Sequence, residues 1–292
     1  MTQRIKCEQV KIKVSNFIFD CRVSGNNSDE LVILLHGFPE TSFMYVPLMK
    51  DLSSLGYYCI APNLRGYSKG ARPKGKRNYT LDKMVEDVIG IAKTTGKDKF
   101  HLIGHDWGAA IGWHIAHDHK ALLLSWTALS VPHTQSFFNA ILYDKEQRKK
   151  SYYMWLFQLP LLPELALKFM NMRLLRKLWT EHSQEEVEDY IRILKEKRAL
   201  TASLHYYRAN FKLKKRAKKG ALLGDIDVPT LYLWGKEDLA VGYAGANNCY
   251  KHIKGDYTFL ALDSDHWLVQ RSYTQVKTAI SAHLNKNSLQ YS

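Results

Sequence analysis

The chain predicts an α/β fold: a mostly parallel, doubly wound sheet interrupted by one all-helical insertion. Three observations predict it. Short apolar runs of buried-strand length alternate with helical periodicity, the pattern of strand–helix–strand units. The alternation stops at about Thr134 and resumes at Thr230, with only helical patterns from Thr134 to Leu222. A small-residue turn, Gly104-His105-Asp106-Trp107-Gly108-Ala109, joins an apolar run to a helix. With 292 residues, 46% of them hydrophobic, the chain can build one large core and carry an insertion. The expected division is a core of residues 1–133 and 223–292 and a helical lid of 134–222.

Cys7 to Val14 and Phe17 to Val23 alternate apolar and polar residues, as an opening antiparallel pair does. Leu31 to Leu35 is a continuous apolar run, hence a buried strand, ending in His36-Gly37-Phe38-Pro39-Glu40. A helix from Thr41 or Ser42 to about Leu55 comes next, then a strand from Tyr58 to Ala61 and a basic loop from Ser68 to Lys76. Thr80-Leu81-Asp82 is placed to cap a helix reaching about Thr95. Phe100 to Ile103 and Leu122 to Leu129 read as strands flanking the helix that starts at Trp107. Within the insertion, Ser183-Gln184-Glu185-Glu186 is a capping box in front of Val187 to Leu194. Strands Thr230 to Trp234 and Tyr257 to Leu262 close the sheet, and a last helix runs from Trp267 to about Leu284.

The turn at Gly104 to Ala109 has the form G-x-nucleophile-x-G with Asp in place of the usual Ser. Close strand–helix contact requires Gly104, Gly108 and Ala109 to be small. The middle side chain, Asp106, is lifted over the sheet end at a helix N-terminus, where free N–H groups favour an anion. By itself this short pattern also fits an Asp that merely caps a helix. The residues after the later strands separate the two.

A carboxylate needs no base to become a nucleophile, and it can displace a leaving group at saturated carbon to form an alkyl ester. Hydrolysis of that ester needs a base to activate water. His266, after the last strand, is so placed, and Asp238, after the preceding strand, can orient its imidazole. Glu237 and Asp265 are alternative acids. The order nucleophile, acid, His, each after its own strand, argues for a triad. Backbone N–H groups of Phe38 and Trp107 are placed to form an oxyanion hole, and Pro39 is a candidate for a cis bond. Phe38, Trp107 and Trp155 are expected to line the substrate pocket.

The formal net charge is +14, and the densest basic run is Lys212 to Lys219. No aromatic residues are interleaved in that run and no nucleic-acid motif accompanies it, so it reads as a solvated face and no nucleic-acid partner is expected. Cys7, Cys21, Cys59 and Cys249 are scattered, which predicts reduced thiols. No apolar signal core or membrane-length run occurs, so a cytoplasmic protein without a membrane span is expected. No metal-ligand cluster appears, and the chemistry calls for neither metal nor organic cofactor.

These motifs resemble the α/β-hydrolase superfamily and, within it, the epoxide hydrolase branch. The resemblance rests on His36 to Glu40, Arg65-Gly66-Tyr67, Gly104 to Ala109, Ser130-Val131-Pro132-His133 and Asp265-His266-Trp267, and spans nearly the whole chain. It implies an epoxide substrate, with water, and two lid tyrosines that polarise the epoxide oxygen. By motif these are Tyr153, five residues before Gln158, and Tyr207, before Arg208; Tyr152 and Tyr206 are their immediate rivals. Asn63 departs from the family, which usually carries an acidic residue there.

A nearby alternative is a dehalogenase using the same Asp–His–Asp chemistry. The haloalkane type usually has Asn where Phe38 stands, and the fluoroacetate type Arg where Trp107 stands. A catalytically idle hydrolase fold acting as a binding protein is a third reading, opposed by the complete triad.

Overall fold

The structure, a computed structural model, describes residues 6–210 and 222–289. The basic run Lys212 to Lys219 lies outside them. Eight strands form one sheet: β1 (Glu8–Val14), β2 (Phe17–Ser24), β3 (Glu30–Leu35), β4 (Tyr57–Pro62), β5 (Phe100–His105), β6 (Leu123–Leu129), β7 (Thr230–Gly235) and β8 (Tyr257–Leu262). Their spatial order is β1-β2-β4-β3-β5-β6-β7-β8. The β1–β2 and β2–β4 pairs are antiparallel, and all the others are parallel. Parallel strands are covered on both faces, which is why Leu31 to Leu35 are all buried and why β3 reads as an unbroken apolar run.

Helices α1 (Val46–Ser54), α2 (Leu81–Lys93) and α3 (Trp107–Asp118) belong to this sheet. Between β6 and β7 the described residues form helices joined by loops, with one isolated bridge at Ile226: α4 (Thr134–Tyr143), α5 (Lys145–Lys150), α6 (Tyr153–Leu156), α7 (Leu162–Arg176), α8 (Gln184–Lys195) and α9 (Ala199–Asn210). The Ser183 capping box is present: Ser183 Oγ accepts from Glu186 N–H and the Glu186 carboxylate accepts from Ser183 N–H.

Local chemistry departs from expectation at two helix ends. Thr80 is the N-cap of α2, but its side chain makes no capping bond. Leu81 N–H instead donates to Asn210 Oδ1 at 3.1 Å, so a residue from the end of α9 satisfies the orphan donor. The expected single last helix is two, Leu268–Arg271 and Tyr273–Lys286, because Ser272 leaves helical geometry (φ −123°, ψ 39°).

Asn63 has a local structural role: its side-chain oxygen accepts from Ser42 N–H at 2.9 Å. Nearby, Arg65 grips Asp87 through two bonds of 2.6 Å, tying the loop after β4 to α2. Both partners are buried, the setting in which a bidentate guanidinium–carboxylate pair is most specific.

Helix α3 lies against the sheet at a separation only small residues allow. A Cβ on Gly112 would sit 1.9 Å from the Trp126 ring, which is fully buried and edge-on to Trp113. Gly112→Ala is therefore expected to cost about 1–3 kcal/mol of stability by overpacking. A thermal unfolding curve checks this, and an unchanged midpoint would mean that Trp126 can move aside.

Candidate active site

The parallel strands all deliver their C-terminal ends to one edge of the sheet, and the predicted residues collect there. Leu35 pairs with Gly104 across β3 and β5, so the turns beyond them, with Phe38 and Asp106, are neighbours. Asp106 is the elbow residue, with φ 51° and ψ −115°. Non-glycine residues rarely adopt such a backbone, and here it aims the side chain away from α3. A Cβ on Gly37 would lie 2.3 Å from Asp106 Cβ, and one on Gly108 2.0 Å from Leu35 O. The elbow can form only because both positions lack a side chain.

Asp106 Oδ1 accepts from Phe38 N–H at 2.7 Å. Asp106 Oδ2 lies 3.5 Å from His266 Nε2. On the other side of the ring, His266 Nδ1 donates to Asp238 Oδ2 at 2.9 Å. Asp238 Oδ1 accepts from Ala240 and Val241 N–H at 2.7 and 2.9 Å, which fixes the buried carboxylate in place. The Phe38–Pro39 bond is cis. Neither alternative acid reaches His266. Asp265 caps Trp267 N–H and pairs with Arg271, and Glu237 pairs with Arg271 at the surface.

A cavity of about 970 Å³ opens over Asp106 and His266. Phe38, Tyr153, Phe157 and Tyr207 form its inner wall. The Tyr153 and Tyr207 rings meet edge to face at 5.9 Å, and Tyr207 packs in the same way on Phe38 and Trp107. Their rivals face elsewhere: Tyr206 donates to the Arg65 carbonyl at 2.6 Å, and Tyr152 is 62% exposed at the mouth. Trp107 lines a smaller hollow of about 50 Å³ on the other side of Asp106. Trp155 departs from the sequence expectation. It is 54% exposed and is not among the cavity-lining side chains, because the short helix α6 turns Tyr153 inward and Trp155 out.

Beneath the triad lies a network to which the motifs alone assign no role. His105 Nε2 and Ser130 Oγ both donate to the His266 carbonyl, at 2.8 and 2.7 Å. His105 Nδ1 lies 3.1 Å from Glu40 Oε2, and Glu40 Oε1 accepts from His182 Nε2 at 2.9 Å. Burial opposes the Glu40 charge, but the two histidines hold its carboxyl down at about 2. A charged residue closing the apolar His36–Glu40 turn was the available signal.

The chain and its fold have counterparts among known proteins. Residues 30–269 match the family model described as the alpha/beta hydrolase fold. The chain belongs to the α/β-hydrolase superfamily. Within it, this α/β hydrolase falls in the epoxide hydrolase branch. It is 31% identical over 276 residues to Epoxide hydrolase 4 of Homo sapiens, covering 89% of this chain and 74% of that one. It is 28% identical over 292 residues to Epoxide hydrolase 3 of Xenopus tropicalis, covering 96% and 78%. A crystal structure of the Bacillus megaterium epoxide hydrolase with an inhibitor superposes with a TM-score of 0.86 at 24% identity, over 94% of this chain and 100% of that one, a likeness of fold. Among the described residues of the hydrolase no helix is long and apolar enough to cross a membrane.

Charge in the hydrolase site follows from its geometry. Burial works against a charged His266 imidazole, but the Asp238 and Asp106 carboxylates overcome it and hold the proton on, well above the usual range. Tyr153 and Tyr207 are shifted in the same direction: burial first, then the Asp106 charge, raises both phenols far above their ordinary value. The resting site thus holds a carboxylate, an imidazolium and two phenols that resist ionisation.

Proposed function

We propose that this hydrolase opens an epoxide to a vicinal diol through a covalent ester on Asp106. The observation that carries the reading is a buried carboxylate, a His–Asp pair and two phenols meeting in one cavity. The relatives named as epoxide hydrolases support it.

In the first step Asp106 Oδ2 attacks a ring carbon and the carbon–oxygen bond breaks. Its electron pair goes to the epoxide oxygen, which Tyr153 and Tyr207 hold by hydrogen bonds. The alkoxide takes up one proton through the phenols; because phenolates are disfavoured here, the net donor is the His266 imidazolium. His266 is then neutral, and the esterified Asp106 no longer supplies a charge that would reprotonate it. In the second step His266 removes a proton from water, and the hydroxide adds to the Asp106 carboxyl carbon. The Phe38 N–H, joined by the Trp107 N–H at the first turn of α3, stabilises the oxyanion. Collapse releases the diol and restores the carboxylate–imidazolium pair, so protons and electrons close over the cycle. Asp238 orients the imidazole in both steps. The α4–α9 segment acts as the lid, supplying both phenols.

The test is diol formation from styrene oxide, with Asp106→Ala as control and halide release from a haloalkane in parallel. Diol that disappears in the control is the expected result. Halide without diol would move the chain to dehalogenase chemistry and leave the two phenols a packing role. Neither product with either substrate would overturn the reading for simple epoxides.

A further inference from the structure

The outward face of the helical segment is apolar where a lid normally meets water. Eighteen large apolar side chains are exposed among the described residues, and ten lie between Tyr152 and Leu174. Exposed apolar residues scattered singly need no explanation, but a contiguous group does. The spacing shows how it arises. Leu162, Pro163, Ala166 and Leu167 of α7 line the cavity. Leu161, Leu165 and Phe169, spaced by four on a different stripe, are 71%, 65% and 67% exposed. The start of α7 therefore carries two apolar faces, one toward the cavity and one outward. After Phe169 the helix is kinked by left-handed Met170, Asn171 and Met172. The outward face runs into the cavity rim, where Leu156, Leu159 and Leu174 are both exposed and cavity-lining.

Cations surround the patch. Residues 145–177 hold eight Lys or Arg and two Glu, and one of those, Glu164, is buried under Arg208. Lys168, Arg173 and Lys177 are exposed beside the leucines. An isologous contact with a second copy would set these cations against themselves. Leucines flanked by lysines and arginines instead match a bilayer whose headgroups are anionic: apolar side chains enter the acyl boundary while the cations meet phosphates. We propose that this face docks on the surface of an anionic lipid bilayer, with the cavity mouth toward the lipid.

The experiment is flotation with vesicles of phosphatidylcholine and phosphatidylglycerol in equal parts, against phosphatidylcholine alone, at low salt and in 0.5 M NaCl. Each cation held at an anionic surface raises partitioning about fivefold. The wild type is expected to float with anionic vesicles at least tenfold better than with neutral ones, and to be released by salt. Two triple variants test the face: Leu161→Ser/Leu165→Ser/Phe169→Ser, whose residues lie outside the cavity wall, and Lys168→Gln/Arg173→Gln/Lys177→Gln. Each is expected to keep the wild-type unfolding midpoint and lose at least tenfold in flotation. No flotation of the wild type would overturn the proposal, as would undiminished flotation of both variants. So would light scattering that shows a dimer which the leucine variant dissolves. Vesicle binding is read without turnover, so this outcome is independent of the chemistry proposed for Asp106.

Discussion

His266→Gln is expected to turn the enzyme into a trap for its own intermediate. Gln cannot take a proton from water, while Asp106 keeps its bond from Phe38 N–H and its path to the ring carbon. Alkylation then proceeds more slowly, its alkoxide drawing a proton from solvent through the phenols, and hydrolysis stalls. Intact mass should rise by one substrate molecule, located on Asp106 by peptide mapping, and steady-state turnover should fall by about 10²–10⁴-fold. Turnover at the wild-type rate would remove His266 from the role of base. The wild type should show the same intermediate under acid conditions. Two carboxylates, Asp238 and Asp106, raise the His266 pKa in the resting site, and esterification neutralises the second of them. Hydrolysis needs neutral His266, so lowering the pH through the value of the ester form should slow hydrolysis and let the ester build up. Rapid quench across a pH series reads this directly, and ester that declines as pH falls would contradict the sign.

The second large effect belongs to the phenols. Tyr153→Phe and Tyr207→Phe each remove one donor from the developing alkoxide and leave ring packing intact, so each should slow alkylation by about 10²–10³-fold. The double variant should lose less than the product of the two, because phenols that act as a unit on one alkoxide are already largely disabled by the loss of either. The loss should fall on ester formation, not on ester hydrolysis, and single-turnover measurement separates the two. Tyr206→Phe is the control: its hydroxyl serves the Arg65 carbonyl, so the change should cost about 1 kcal/mol of stability and leave alkylation unchanged. If Tyr206→Phe slowed alkylation and Tyr207→Phe did not, the two neighbours would have to exchange roles.

These outcomes depend on features that are legible in the chain to different degrees. The elbow is legible because its constraints are local: contacts of about 2 Å at Gly37 and Gly108 leave no room for a side chain, and the backbone forced on Asp106 follows from the turn. The order of Asp106, Asp238 and His266 is legible because parallel strands send all their C-terminal ends to one edge. Glu40 was visible only as part of a motif. Its place beneath His266 comes from residues 65 and 142 positions away, His105 and His182, which no local pattern relates.

Sequence by itself determined the strands, the turn chemistry and the set of reactive groups, since two-residue and helical periodicities and the sterics of small residues act between near neighbours. Tertiary structure decided which neighbour of each aromatic pair faces inward. Tyr153 over Tyr152 and Tyr207 over Tyr206 are choices between adjacent residues, made by what packs against each helix: Phe157 and Phe38 around Tyr207, the Arg65 carbonyl for Tyr206. Trp155 went outward for the same reason, and Asn210 capped α2 because α9 ends beside it. Composition and spacing cannot carry such choices, because the direction of a side chain on a short helix is set by its partners across the fold.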